Sequence, residues 1–147
     1  MLQQIQINSS LQIVGEHMIK ILDFSGLVLY CLFIYWLSDQ PSLPTPMWFA
    51  HQDKIYHAGA YFIMGLLAWR SFKHLTDSPI ILALISITFC CLFGISDEWH
   101  QSFVEGRSSD IADWIADSSG AGLAILLMSS KKLIYGLNAE IHNPTIE

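Results

Sequence analysis

The chain has 147 residues, enough for one domain; 52% are hydrophobic and only 14% are charged. An ordinary soluble domain carries about 25% charged residues, so this balance, with a mean hydropathy of +0.42, favours a membrane protein. The net charge of −6 leaves no basic stripe to neutralise phosphates, which argues against nucleic acid as a partner.

The start, "MLQQIQINSS", lacks the basic and apolar regions of a signal peptide, so the chain's own helices are expected to direct insertion. Over residues 1–18, Ile7, Leu11, Val14 and Met18 recur at helical spacing. They fit either a short amphipathic helix at the membrane surface or a frayed terminus. Four apolar segments follow, at 21–37, 55–69, 78–96 and 111–130. A spanning helix needs about 20 mostly apolar residues. The third segment, "SPIILALISITFCCLFGIS", meets this alone, and the others meet it when their polar ends are included. A soluble four-helix bundle would need polar stripes, and the third segment offers only Ser86 and Thr88 in its middle.

Between the first two segments, "SDQPSLPTPMWFAHQDK" carries three prolines and predicts an extended linker, with Trp48 and Phe49 suited to a membrane surface. The tail from Gly136 reads as disordered. Cys31, Cys90 and Cys91 all lie in apolar runs and read as small hydrophobes, not as a disulfide framework or a zinc site. The predicted organisation is an N-terminal segment at 1–18, a membrane domain at 19–133 and a flexible tail at 134–147. The fold class is all-α: four transmembrane helices in a compact bundle.

Lys20, Arg70, Lys73, Lys131 and Lys132 fall on one side of such a bundle, and Lys54 and Arg107 on the other. The positive-inside rule then places both termini in the cytoplasm of a multi-pass protein of the bacterial inner membrane. A polar site is expected at the outer end. There Asp53, Lys54 and His57 open the second helix, Asp97, Glu98 and Gln101 close the third, and Arg107, Asp110 and Asp113 open the fourth.

Spacing sharpens this expectation. Asp53, His57 and Tyr61 lie at i, i+4 and i+8, and Asp110, Asp113 and Asp117 at i, i+3 and i+7, each set on one helix face. Asp117 lies roughly 10 Å deeper than Asp110 along the axis. At that depth an acid or histidine is costly in lipid and should face the bundle interior. Blander readings stand beside these. Asp53 or Ser109 can be a helix N-cap, Asp97 and His100 can sit in solvent at a helix end, and Glu105 is a solvated loop residue. Arg107, the lone arginine among the acids of this region, is read as a site residue. Ala116, Ser118, Gly120, Gly122 and Ala124 are read as close helix packing, not as a phosphate loop.

Two helix N-termini with Lys54 and Arg107 beside them would make a phosphate cradle. His57 and the nearby acids, Glu98, Asp110 and Asp113, would supply proton transfer or nucleophilic attack. Clustered carboxylates could also take Mg²⁺ or Ca²⁺ through oxygen ligands.

At "DKIYHAGAYF", "SDEWHQSFVEGRSSDIADWIAD" and the small-residue run ending in Gly122, the chain resembles the VanZ-like family of small bacterial membrane proteins. Many members carry an asparagine late in the last motif, where this chain has Asp117. The family takes its name from a teicoplanin-resistance protein and is grouped with enzymes acting on lipid headgroups or phosphoesters. The resemblance implies a membrane lipid or lipid-linked cell-wall precursor as partner. His57, Glu98, Asp110 and Asp113 would then do the chemistry, and Asp53, Lys54, Tyr61, Gln101 and Arg107 would hold the substrate. A non-catalytic headgroup or glycopeptide binder and a structural membrane protein are the alternatives.

Overall fold

The computed structural model describes residues 2–41 and 48–142, with side chains over 11–41 and 48–130. It is all-helical: α1 (Leu2–Ser38), α2 (Gln52–Phe72), α3 (Pro79–Gln101) and α4 (Ile111–His142). The boundaries expected at residues 18 and 133 fall inside α1 and α4, whose backbones run on through them. The proline-rich stretch at 42–47 and the last five residues lie outside the described residues.

The helix starts follow local chemistry. Ser78 Oγ accepts from Ile81 N at the head of α3, and Pro79 stands in the first turn, where its missing N–H costs nothing. At the head of α4 the cap is Asp110, not Ser109: Asp110 Oδ1 accepts from Ala112 N at 2.9 Å. Asp53 is not a cap either; it lies in the first turn of α2, and His51, in the left-handed region at φ 63°, occupies the cap position.

Three stretches, Leu11–Ser38, Pro79–Gln101 and Ile111–Ser130, are long and apolar enough to cross a membrane. α2 is not among them. It opens with Gln52, Asp53, Lys54 and His57 and closes with Arg70. Its place in the fold gives the reason: α2 touches each of the other helices, and α4 most extensively. A helix with neighbours on several sides can carry polar groups that lipid would reject.

The core forms along these contacts. Leu27, Ile34, Tyr61, Met64, Cys90 and Ala121 make one buried cluster, and Trp69, Leu82 and Ile125 a second toward the far end of α2. The outward residues are apolar too, among them Leu29, Leu32, Ile80, Leu84, Leu92 and Leu126. Such continuous exposed apolar surface is what lipid, not water, accommodates. Cys31, Cys90 and Cys91 are all free thiols.

Small residues set the α2–α4 distance. A methyl group added at Gly65 would stand 3.0 Å from both Ala121 O and Ala124 Cβ, and one added at Gly120 would run into the Ala58 carbonyl. Gly122 differs, since its nearest neighbour would be Ile87 Cδ1 at an ordinary 3.9 Å. Gly→Ala in a helix is normally stabilising by roughly 0.5–1 kcal/mol. At Gly120 the clash is with backbone and cannot be relieved by a rotamer change, and overpacking of this kind costs about 1–3 kcal/mol. Gly120→Ala should therefore lower the Tm of the detergent-solubilised protein, whereas Gly122→Ala should leave it unchanged or raise it. A drop for Gly122→Ala equal to that for Gly120→Ala would contradict this packing.

Candidate functional site

The C-terminal ends of α1 and α3 and the N-terminal ends of α2 and α4 meet at one end of the structure. Lys54 ties two of them together. Its Nζ lies 3.1 Å from Asp53 Oδ2, 2.7 Å from Asp110 Oδ2 and 2.6 Å from Asp113 Oδ1. One turn deeper, His57 Nδ1 is hydrogen-bonded to Asp117 Oδ1 at 3.0 Å, and its Nε2 stands 3.8 Å from Asp113 Oδ1. The i, i+3, i+7 spacing on α4 produces a gradient of burial. Side-chain exposure falls from 47% at Asp110 to 12% at Asp113 and 1% at Asp117.

α3 joins through Glu98, whose Oε2 accepts from Asp110 N at 2.7 Å. Its Oε1 is buried without a hydrogen-bond partner. Gln101 belongs to a neighbouring network. It donates through Nε2 to Asp97 Oδ2 at 3.2 Å and to Ser38 Oγ at 3.3 Å, while Ser38 Oγ donates to Asp97. Asp97 is thus buried, at 5% exposure, instead of lying in solvent at a helix end. His100 is stacked on Tyr35 with ring centroids 4.2 Å apart. Glu105 is exposed.

Arg107 sits in the loop before α4, just after Gly106, whose φ of 79° turns the chain in a way that suits glycine. Arg107 lines a cavity of about 110 Å³ together with Ser38, His57, Tyr61, Asp97 and Gln101. The guanidinium Nη1 is buried with no hydrogen-bond partner, and so are Tyr61 OH and Asp117 Oδ2. Buried polar groups are rarely left so, and in a low-dielectric site each unmade bond is costly.

The structure thus joins Asp53, Lys54, His57, Glu98, Asp110 and Asp113 directly and sets Tyr61, Gln101 and Arg107 around the adjoining cavity. Sequence reasoning placed Asp97 at this end but leaned to a solvated helix end for it, and it missed Ser38 as its partner. The Asp97–Gln101 spacing of four was a signal for a shared helix face. It also passed over Asp23, an acid inside the first apolar segment and 6% exposed. At the opposite end of α2, Asp23 is hydrogen-bonded to Arg70 Nε and, at 2.8 Å, to His74 Nε2, and Lys73 Nζ stands 3.6 Å away as a looser ion pair. An ionisable residue within an apolar run was itself the signal.

Over residues 10–134, which include every one of these side chains from Ser38 to Asp117, the sequence matches the VanZ/LLP1 family. The chain belongs to that family. It is also 31% identical, over 93 residues, to an uncharacterised protein of Schizosaccharomyces pombe. That stretch is 63% of this chain and 53% of the relative, so the chain spans about half the relative's length. No solved structure matches it. The matched region of this VanZ/LLP1 protein contains both its apolar helices and its polar end.

Outside the helices, Asp110 is held below the usual carboxylate value, chiefly by its hydrogen bond from Lys54. An acid whose value is lowered on folding adds stability that is present above its unfolded value and is lost as pH falls through the folded one. Lys54→Met would leave three carboxylates facing one another without their cation. It should lower Tm most at neutral pH, and the deficit should shrink as pH drops below the usual carboxylate range. A deficit independent of pH would mean that Lys54 acts through packing and not through charge.

Proposed function

We propose that this VanZ/LLP1 protein crosses the membrane four times as a compact helical bundle and acts on the phosphate-bearing headgroup of a lipid, or of a lipid-linked cell-wall precursor, at the outer face of the bacterial inner membrane. The observation that carries the reading is Nη1 of the half-buried Arg107, an atom shut off from solvent without a hydrogen-bond partner, on a side chain that lines the cavity beside His57 and Gln101. A planar guanidinium in that position suits a phosphoester oxygen, which would supply the missing acceptor.

Several features support the membrane setting. The exposed positions Ile55, Tyr56 and Ile63 on α2 are apolar or amphipathic, as a fourth span requires. Trp36, Trp48, Phe49, Trp99 and Phe103 are exposed at the polar end, the kind of aromatic belt found where headgroups begin. A groove of about 350 Å³ between α3 and α4 is walled by Ile95, Trp99, Ile111 and Trp114 and floored by Glu98 and Asp110. A headgroup could approach Glu98 along it while its chain stays in lipid. The bias of five Lys and Arg to two favours cytoplasmic termini.

In this reading Arg107 holds the phosphate, and His57 and Glu98 move protons on the bound headgroup, with Asp113 and Asp117 orienting the imidazole. Arg107→Ala should abolish co-purification of a phosphate-bearing lipid, measured by lipid mass spectrometry of the detergent-extracted protein, and Arg107→Lys should weaken it. His57→Ala should still retain the lipid while turnover falls by about 10²-fold or more. If both variants fold and lose the lipid equally, and the parent turns nothing over, the protein is a binder and not an enzyme.

Orientation is tested separately. Cysteines at Glu105, in the exposed loop before α4, and at Leu75, between α2 and α3, report opposite faces. The Glu105→Cys protein should react with an impermeant thiol reagent added outside whole cells, and the Leu75→Cys protein should not. The reverse pattern would invert the topology.

A further inference from the structure

We infer that His57, Glu98 and Asp117 form a binding site for one divalent transition-metal ion of the zinc or manganese class. This goes beyond the headgroup reading and rests on the cluster alone; with the ion bound, His57, Glu98 and Asp117 serve as its ligands in place of the proton-transfer and orienting roles that reading gives them. Each of the three residues offers a ligand atom, and these atoms all lie within 4.8 Å of one another. Ligand atoms about 2 Å from an ion stand roughly 3–3.5 Å apart around a tetrahedron, so about an ångström of side-chain movement closes the set. The His57–Asp117 contact of 3.0 Å is already at that spacing.

The second observation is the state of the carboxylates. Asp117 is fully buried and Glu98 is 5% exposed, yet each keeps one oxygen without a hydrogen-bond partner. Asp117 Oδ2 is directed at α3 beside Gly94, one helical turn before Glu98, where a methyl group on Gly94 would lie 3.5 Å from it. The nearest ammonium, that of Lys54, is committed to Asp53, Asp110 and Asp113. Two buried acids and one imidazole therefore share a small volume, and with both acids ionised and the imidazole neutral the three side chains carry only negative charge. Such an arrangement is costly unless a cation or protons compensate it.

The donor set narrows the ion. Magnesium and calcium favour all-oxygen sites, whereas an imidazole nitrogen with two carboxylates suits zinc, manganese or iron(II). Three protein ligands with room for a fourth is also the count of zinc sites that keep an open position. The remaining ring nitrogen of His57, Nε2, stands 3.8 Å from Asp113 Oδ1, longer than a hydrogen bond but on the side where a carboxylate usually backs a metal-bound histidine. With the ion bound, it would displace the proton shared between His57 Nδ1 and Asp117 Oδ1.

The test uses the full chain in zwitterionic nanodiscs, stripped with chelator and reloaded with Zn²⁺, Mn²⁺ or Co²⁺. The expected result is about one ion per chain by elemental analysis. Cobalt should give visible absorption bands that Zn²⁺ bleaches and millimolar Mg²⁺ does not. His57→Gln and Asp117→Asn should each weaken binding by about tenfold or more, while Glu105→Gln, in the exposed loop, should not. The cobalt spectrum of the unmodified protein requires no variant to fold, so it decides the matter even if the substitutions are destabilising. No ion above the buffer level, an ion that Mg²⁺ displaces, or binding that survives loss of both His57 and Asp117 would overturn the site and leave the charge to be balanced by protons.

Discussion

The Lys54 ammonium, held among Asp53, Asp110 and Asp113, is the contact on which the polar end depends. It binds the first turn of α2 to the first turn of α4 and so fixes which faces of the two helices meet. Once those turns are pinned, the i+3 and i+4 rows carry His57 and Asp117 to each other without further instruction. The same contact sets Asp110 where its backbone N–H reaches Glu98, which brings in α3. Ion pairs are poor general stabilisers in buried settings, and this one is better understood as a register device that selects one arrangement of helices.

Lower in the structure the logic changes. Between the two polar ends, α2 and α4 approach through Gly65, Gly120 and Ala124, where backbone meets backbone and dispersion replaces charge. At the far end of α2, Asp23 gathers Arg70, Lys73 and His74. α2 is therefore fixed at both ends by charge and in the middle by shape. That division explains its composition: a helix that touches each of the other three needs polar groups at its tips and small residues along its length more than it needs uniform apolarity.

Much of this was legible in the sequence because the governing signals are local. Four apolar runs, separated by prolines or acids, give four helices, and the spacing of Asp110, Asp113 and Asp117 gives one polar face on α4. The depth of Asp117 follows from that spacing and from the helical rise. The illegible parts depend on which distant residue arrives. Asp97 looks like a solvated helix end until Ser38, 59 residues earlier, packs on it. Asp23 looks like an isolated charge until the end of α2 and the turn after it bring Arg70, Lys73 and His74 to it. Ser109 and Asp110 are equally good caps by residue type, and Asp110 takes the place because the same side chain also meets Lys54. α2 falls short of the apolar length that the other three helices reach, and the contacts it makes with each of them are not a property of the segment itself.

The central claim is that the polar end of this VanZ/LLP1 protein engages a lipid phosphate through Arg107. The chain has only two arginines, Arg70 and Arg107. In an Arg70→Lys background, guanidinium nitrogen labelled with ¹⁵N reports on Arg107 alone. Solid-state NMR of that protein in native lipid can measure the distance from those nitrogens to lipid ³¹P. A direct charge-assisted bond places nitrogen within about 4 Å of phosphorus. The account predicts strong ³¹P dephasing at that range, lost when the lipid is exchanged for a phosphate-free detergent. A guanidinium signal indifferent to ³¹P in native lipid would contradict it.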